Sequence, residues 1–183
     1  MPDLTGKIIA FLVAGEGIEQ VELTEPWQAV KDAGGIPQLI SPEAGEVQAY
    51  HHLDKADTFS VDVPTGAADP LGYDGLVLPG GVANPDALRT DASAVAFAKA
   101  FFDAGKPVAA ICHAPWTLVE ADVVRGRTLT SWPSLQTDLR NAGASWVDEP
   151  VVVDRDGPNI LITSRKPDDL LVFNEALLDA IAG

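Results

Sequence analysis

The chain contains one cysteine in 183 residues, set in the run V-A-A-I-C-H-A-P-W (Val108–Trp116). Pro107–Ile111 reads as a strand of small apolar residues and Ala114–Asp122 as the helix after it. Cys112 therefore falls in the turn between them, in the manner of a nucleophile elbow that lifts a side chain above a sheet edge. The first free N–H groups of the helix would face the sulfur, favour thiolate and lower the thiol pKa from about 8.5. His113 adds a proton carrier, and Pro115 fits the first helical turn, where a missing N–H costs nothing. A free cysteine elsewhere usually packs as a small hydrophobe. The histidine, the proline and the elbow together set Cys112 apart from that case.

Two further stretches end strands and would open at the same edge. Gly15–Glu22 (G-E-G-I-E-Q-V-E) offers carboxyls that, when protonated, could donate a hydrogen bond to a thiolate. Plain acidic capping of a helix suits Glu19 and Glu22 equally well. Leu78–Gly81 (L-P-G-G) lets backbone N–H groups approach a ligand closely, or simply makes a tight turn. His51, His52 and Asp54 make a formal trio of metal-ligand types. Adjacent histidines rarely chelate one ion together, so no metal site is assigned.

The elements that must position these residues alternate in type. Apolar strands are expected at Lys7–Val13, Ile36–Ile40 and Gly75–Leu78, besides Pro107–Ile111, with a further strand over Gly126–Thr130. Helices are expected at Glu19–Ala33, Ser93–Ala104, Leu135–Ala142 and Pro167–Ala182, with Pro26 kinking the first or opening its regular part. Val151–Asp154 and Asn159–Thr163 suggest a hairpin around Asp156-Gly157. Glu43–Pro70 is the least regular region, read as hairpin strands or a long excursion. The alternation argues an α/β fold with a doubly wound, mostly parallel sheet between helices, formed as a single domain over 1–183. Sites in such folds collect at the carboxyl ends of strands.

Composition narrows the functional classes. Hydrophobic residues make up 46% and charged residues 21%, the balance of a globular chain. Twelve basic against 27 acidic residues leave a net charge of −15, which repels nucleic-acid backbones and anionic membrane faces. A lone cysteine excludes an intrachain disulfide and a multi-cysteine zinc site. The N-terminus lacks the ordered regions of a signal peptide, so a reducing cytoplasm is expected.

The motifs A-I-C-H-A-P (110–115), I-E-Q-V-E-L (18–23), V-L-P-G-G (77–81), V-V-R-G-R (123–127) and T-S-R-K-P-D-D-L (163–170) together resemble the ThiJ/PfpI superfamily. The similarity is closest to the PfpI-like branch of intracellular proteases and general stress proteins, and it runs from Lys7 to about Leu178. The resemblance implies a flavodoxin-like fold, related to class I glutamine amidotransferases, with Cys112 as nucleophile. It implies Glu19 as the acid hydrogen-bonded to the sulfur and His113 as general acid/base. Gly81 and His113 would supply oxyanion N–H groups. Asp86 is the nearest match to an acid that reaches a neighbouring subunit's site, and Trp132 matches a pocket-lining aromatic. Homodimers, in some relatives assembled into hexamers, are implied, with no cofactor. Two departures stand out: Ile18 replaces an aromatic common before the acid, and Val47–Val63 is longer than in the simplest relatives.

Three activities compete on this reading. The first is stress-protective chemistry on reactive carbonyls, either glyoxalase III-type conversion of methylglyoxal to lactate or deglycation of early adducts. Its partner is a small aldehyde or glycated substrate, and its first step is thiolate addition. The second is a redox sensor or chaperone-like stress protein without turnover. The third is a PfpI-type peptidase. An adjacent Cys–His pair has poor geometry for mutual hydrogen bonding, and no histidine follows His113 to complete a triad. The same absence weighs against a glutamine amidotransferase.

Overall fold

The computed structural model describes residues 2–183. Strands β1 (Ile8–Leu12) and β2 (Glu16–Glu19) lead into helix α1 (Gln20–Asp32). After β3 (Ile36–Ser41) come the hairpin strands β4 (Glu46–His51) and β5 (Asp54–Ser60), the short β6 (Val63–Pro64) and β7 (Gly75–Leu78). Helices α2 (Ala83–Leu88) and α3 (Ala92–Asp103) precede β8 (Val108–Ile111), α4 (Pro115–Glu120) and β9 (Thr128–Leu129). Then follow α5 (Gln136–Asn141), β10 (Ser145–Trp146), β11 (Val151–Asp154), β12 (Leu161–Ser164) and α6 (Leu170–Ala182).

The main sheet has seven strands in the order β11-β12-β8-β7-β1-β3-β6, parallel except for the β11–β12 pair. β1 shows why the strands are apolar throughout. Ala10 and Leu12 enter the core under α3, α4 and α5, whereas Ile9 and Phe11 enter the core under α1 and α6. A strand covered on both faces has no polar side to show. The chain steps from β1 outward to β3 and returns to β7 on the other side of β1. That reversal opens a crevice above the carboxyl ends of β1 and β7, beside β8.

Three local expectations are corrected. α1 runs through Pro26 from Gln20, six residues earlier, because its packed face (Leu23, Pro26, Val30) holds it in place. The irregular region forms hairpin strands, β4 and β5, as one of its two readings had it, and the correction there is β2, which adds to the hairpin as a second sheet from residues read as loop and helix start. The strand expected over Gly126–Thr130 shrinks to β9, which pairs with β10 outside the main sheet.

A buried polar cluster fixes the sheet edge at the amino end of β8, the end opposite the elbow. Arg127 Nε lies 2.8 Å from Asp154 Oδ1, Nη1 is 2.9 Å from Asn159 Oδ1, and all three residues are buried. Gly157 is needed there, because a Cβ would run into the guanidinium. The Arg127→Met variant leaves Asp154 buried without its cation. We expect a loss of about 3–5 kcal/mol in urea unfolding, whereas a surface-pair change such as Lys99→Met stays within about 1 kcal/mol.

Candidate active site

Cys112 follows β8 directly and takes φ +64°. That left-handed conformation costs a non-glycine residue roughly 1–2 kcal/mol. It is pinned from both sides: the Cys112 N–H donates to the Ser164 carbonyl (3.0 Å), and its carbonyl accepts from the Trp132 N–H (2.8 Å). The turn also breaks the alternation by which successive strand side chains point apart. His113 Nδ1 consequently sits 3.1 Å from Cys112 Sγ, a close contact that corrects the expectation of poor geometry for neighbours in sequence. His113 Nε2 faces Ser134 Oγ at 3.4 Å. The ring is stacked on Trp132, 5.7 Å between centroids and 21° between planes, and Trp116 meets it at a tilt.

The acid beside the sulfur is Glu22, not Glu19. Glu22 lies in the first turn of α1, fully buried; its Oε2 accepts the Gly80 N–H at 2.8 Å, and its carboxyl lies beside Cys112, close enough that a Cβ on Gly80 would run into both. Glu22 Oε1 has no hydrogen-bond partner. Glu19 ends β2 before the helix begins, and its Oε2 accepts the His52 N–H at 3.0 Å on the hairpin side. The two acids are three residues apart, but the change from strand to helix between them sends their side chains to different neighbours. Helical spacing could not separate the two: in a helix counted from Glu19, both acids fall on the face of Leu23, Pro26 and Val30, and only the observed start at Gln20 takes Glu19 off it.

Electrostatics bind the acid and the thiol into a pair. Burial pushes the Glu22 carboxyl up to about 8, opposed by the Gly80 N–H and reinforced by the charge of Glu19. Burial likewise pushes the Cys112 thiol up, and the negative charge of Glu22 adds to it, while the Gly81 and His113 N–H groups pull it down. The helix-end expectation of a thiol below its ordinary pKa is corrected accordingly. α4 has only six residues, and Cys112 is 7% exposed. Two buried anions side by side are unfavourable, so thiolate forms when Glu22 holds the proton. His113 is pushed down to about 4 by burial and is neutral near pH 7.

The glycine turn completes the site. Asn84, fully buried, donates to the carbonyls of Pro79 (2.9 Å) and Gly80 (3.0 Å) and accepts from the Ala14 N–H (2.7 Å). It ties the turn after β7 to the end of β1, a role that carried no motif in the sequence. A Cβ on Gly80 would lie 2.6 Å from Cys112 Cβ and against Glu22 Oε2. Gly80→Ala is therefore expected to fold with lower stability and to lose roughly 10²-fold in Cys112 alkylation rate, measured against the intact protein.

These groups line a cleft of about 750 Å³. Cys112, His113 and Glu22 lie along it with Gly81, Trp116 and Trp132, and Asp86 of the same chain also lines it. The hairpin turn adds His52 and Leu53. Among the described residues no three His, Cys, Asp or Glu side chains converge on a metal-sized point. No helix among them is long and apolar enough to cross a membrane.

Fold and site define an α/β protein with a cysteine elbow at the switch point of its sheet. The chain belongs to the DJ-1/PfpI family, whose model matches residues 7–180. It is 41% identical to protein/nucleic acid deglycase 2 of Escherichia coli, over 94% of this chain and 96% of that one. It is 39% identical to a Bacillus subtilis protein with a provisional cysteine-protease name, over 96% and 98% of the two chains. The structure of DJ-1beta from Drosophila melanogaster superposes with a TM-score of 0.85 at 27% identity, covering 97% of this chain and 91% of that one.

Proposed function

We propose that the protein is a cofactor-independent enzyme that acts on reactive carbonyls through a Cys112 thiolate, as a glyoxalase or deglycase. The observation that carries this reading is the Glu22 carboxyl held against the Cys112 thiol in an open cleft. The name of the Escherichia coli relative supports it. With Glu22 protonated, the thiolate adds to the aldehyde carbon of methylglyoxal. A C–S bond forms and the carbonyl electron pair moves to oxygen, where the Gly81 and His113 N–H groups receive it. Glu22 gives that oxygen its proton and becomes the carboxylate. That carboxylate, or neutral His113, takes the C1 proton and returns one to C2, leaving a lactoyl thioester. Water cleaves the thioester to lactate and free thiol. A hemiaminal adduct enters at the same hemithioacetal by releasing its amine.

A peptidase fits less well. The distal nitrogen of His113 has a serine hydroxyl near it, and no carboxylate orients the ring. The test is product counting: purified protein with methylglyoxal, lactate measured per mole of Cys112. Many turnovers support the enzyme. A single equivalent of modification supports the sensor reading and overturns this one.

A further inference from the structure

We infer that Ser134 is a positioning residue that fixes the proton of His113 on its distal nitrogen, leaving the lone pair of Nδ1 aimed at Cys112. This goes beyond the proposed function and rests on it only for the turnover half of the test. His113 Nδ1 lies 3.1 Å from Cys112 Sγ, and Nε2 lies 3.4 Å from Ser134 Oγ. Among the described residues the Ser134 hydroxyl is the one hydrogen-bond partner of Nε2. A neutral imidazole carries one N–H, so the partner of one nitrogen decides what the other can do. Burial pushes the Cys112 thiol up, so the sulfur keeps its hydrogen at rest. Below about 8 the Glu22 carboxyl holds a proton of its own, so Nδ1 is the acceptor left for the thiol. That places the ring hydrogen on Nε2 and makes Ser134 Oγ its acceptor.

The fold holds this geometry from several sides. The ring is stacked on Trp132 and tilted against Trp116, and Trp116 is itself pinned by its Nε1–H, which donates to Asp138 Oδ2 at 2.9 Å. Trp132 and Ser134 belong to one short turn that hangs on the elbow. The Trp132 N–H donates to the Cys112 carbonyl at 2.8 Å, and the Leu135 N–H closes the turn onto the Trp132 carbonyl at 3.0 Å. Pro133 opens the turn, the Leu135 side chain is buried, and Ser134 faces solvent. A hydroxyl here does what a carboxylate could not, because it both accepts and donates. When Nδ1 takes a proton, an N–H bond forms there and the Nε2–H bond breaks. The released proton passes to Ser134 Oγ as the hydroxyl's own hydrogen leaves to water. The ring ends with one proton, as it began. Burial holds the imidazole down to about 4, so a ring carrying two protons is disfavoured near neutral pH.

Ser134→Val and Ser134→Thr have the same shape and differ by one hydroxyl, so the pair isolates its role in the intact protein. Nitrogen-15 spectra of the histidine rings near neutral pH read the tautomer, the His113 signals being those lost in His113→Gln. Wild type and Ser134→Thr are expected to carry the ring hydrogen on Nε2. In Ser134→Val it should move to Nδ1, where the sulfur is the remaining acceptor. With methylglyoxal, kcat of Ser134→Val should fall about tenfold below that of Ser134→Thr, with KM within about twofold. Cys112 is the only thiol, and its alkylation by iodoacetamide should stay within about threefold, because the serine governs the base and not the thiolate population. A wild-type ring with its hydrogen on Nδ1 overturns the inference, as does an unchanged tautomer in Ser134→Val. Equal kcat for the two variants, in a protein that turns over, overturns it too. So does a loss of the same size in alkylation, the mark of a merely structural role. A hydroxyl-dependent tautomer in a protein that forms no lactate sinks the carbonyl-enzyme reading alone.

Discussion

Cys112→Ser is expected to abolish lactate formation, a loss of at least about 10³-fold, while the protein remains folded. Serine is smaller than cysteine and keeps both backbone bonds that hold the elbow, from Cys112 to Ser164 and Trp132. What it lacks is an ionisable sulfur. A hydroxyl with the same neighbours stays protonated, because burial and Glu22 oppose its anion even more than they oppose thiolate. The check is turnover of methylglyoxal together with far-ultraviolet circular dichroism. Residual activity above a tenth of the wild-type rate in a folded Cys112→Ser protein removes sulfur from the chemistry. Cys112→Ala should behave the same way, which separates the loss from any new hydrogen bond of serine.

Glu22→Gln carries the second large effect, and its sign differs between activity and stability. Glutamine cannot take or return a proton, so turnover should fall by roughly 10²-fold or more. The wild-type pair must lose one proton before thiolate exists. With the Glu22 carboxyl raised to about 8, kcat/KM should climb with pH towards that value, and in Glu22→Gln this limb should be replaced by the ionisation of the buried Cys112 thiol alone. Stability moves the other way. The unfolded carboxyl ionises near 4.5 and the folded one near 8, so between those values the folded state holds the extra proton. Wild-type stability therefore falls as pH rises from about 4.5 to 8. Glutamine never has to bury a charge. The variant should match wild type near pH 4 and exceed it by a few kcal/mol at pH 9 in denaturant titrations. The Glu19 carboxylate meets the hairpin backbone, so Glu19→Gln should show neither the replaced limb nor the pH-dependent stabilisation. Identical profiles for Glu22→Gln and wild type would show that the two groups do not share a proton.

Much of the frame was legible from residue order. Strand runs such as Ile8–Leu12 and Val108–Ile111 are buried on both faces and thus continuously apolar, a pattern that needs no tertiary knowledge to read. The elbow followed from small strand residues meeting Cys-His-Ala-Pro. The hairpin beside the cleft was harder to place. β5 reads D-K-A-D-T-F-S and is mostly exposed, so its pairing with β4 leaves little hydrophobic signature. β2 was obscured for another reason: four residues rich in charge and glycine become a strand only because β4 lies alongside.

The site divides along the same line. Sequence alone singled out the candidate nucleophile and its place at a strand end, because a single cysteine before a histidine and a helix-opening proline is a local pattern. Tertiary structure decided which acid meets it. Glu19 and Glu22 differ by three positions, and only the exact residue at which strand gives way to helix turns one towards the hairpin and the other into the core. That boundary is set by the pairing of β2 with β4 and by the packing of α1 on the sheet, long-range contacts that no short stretch of sequence contains. The raised ionisation of Glu22 and Cys112 has the same origin, since folding removes both groups from water together.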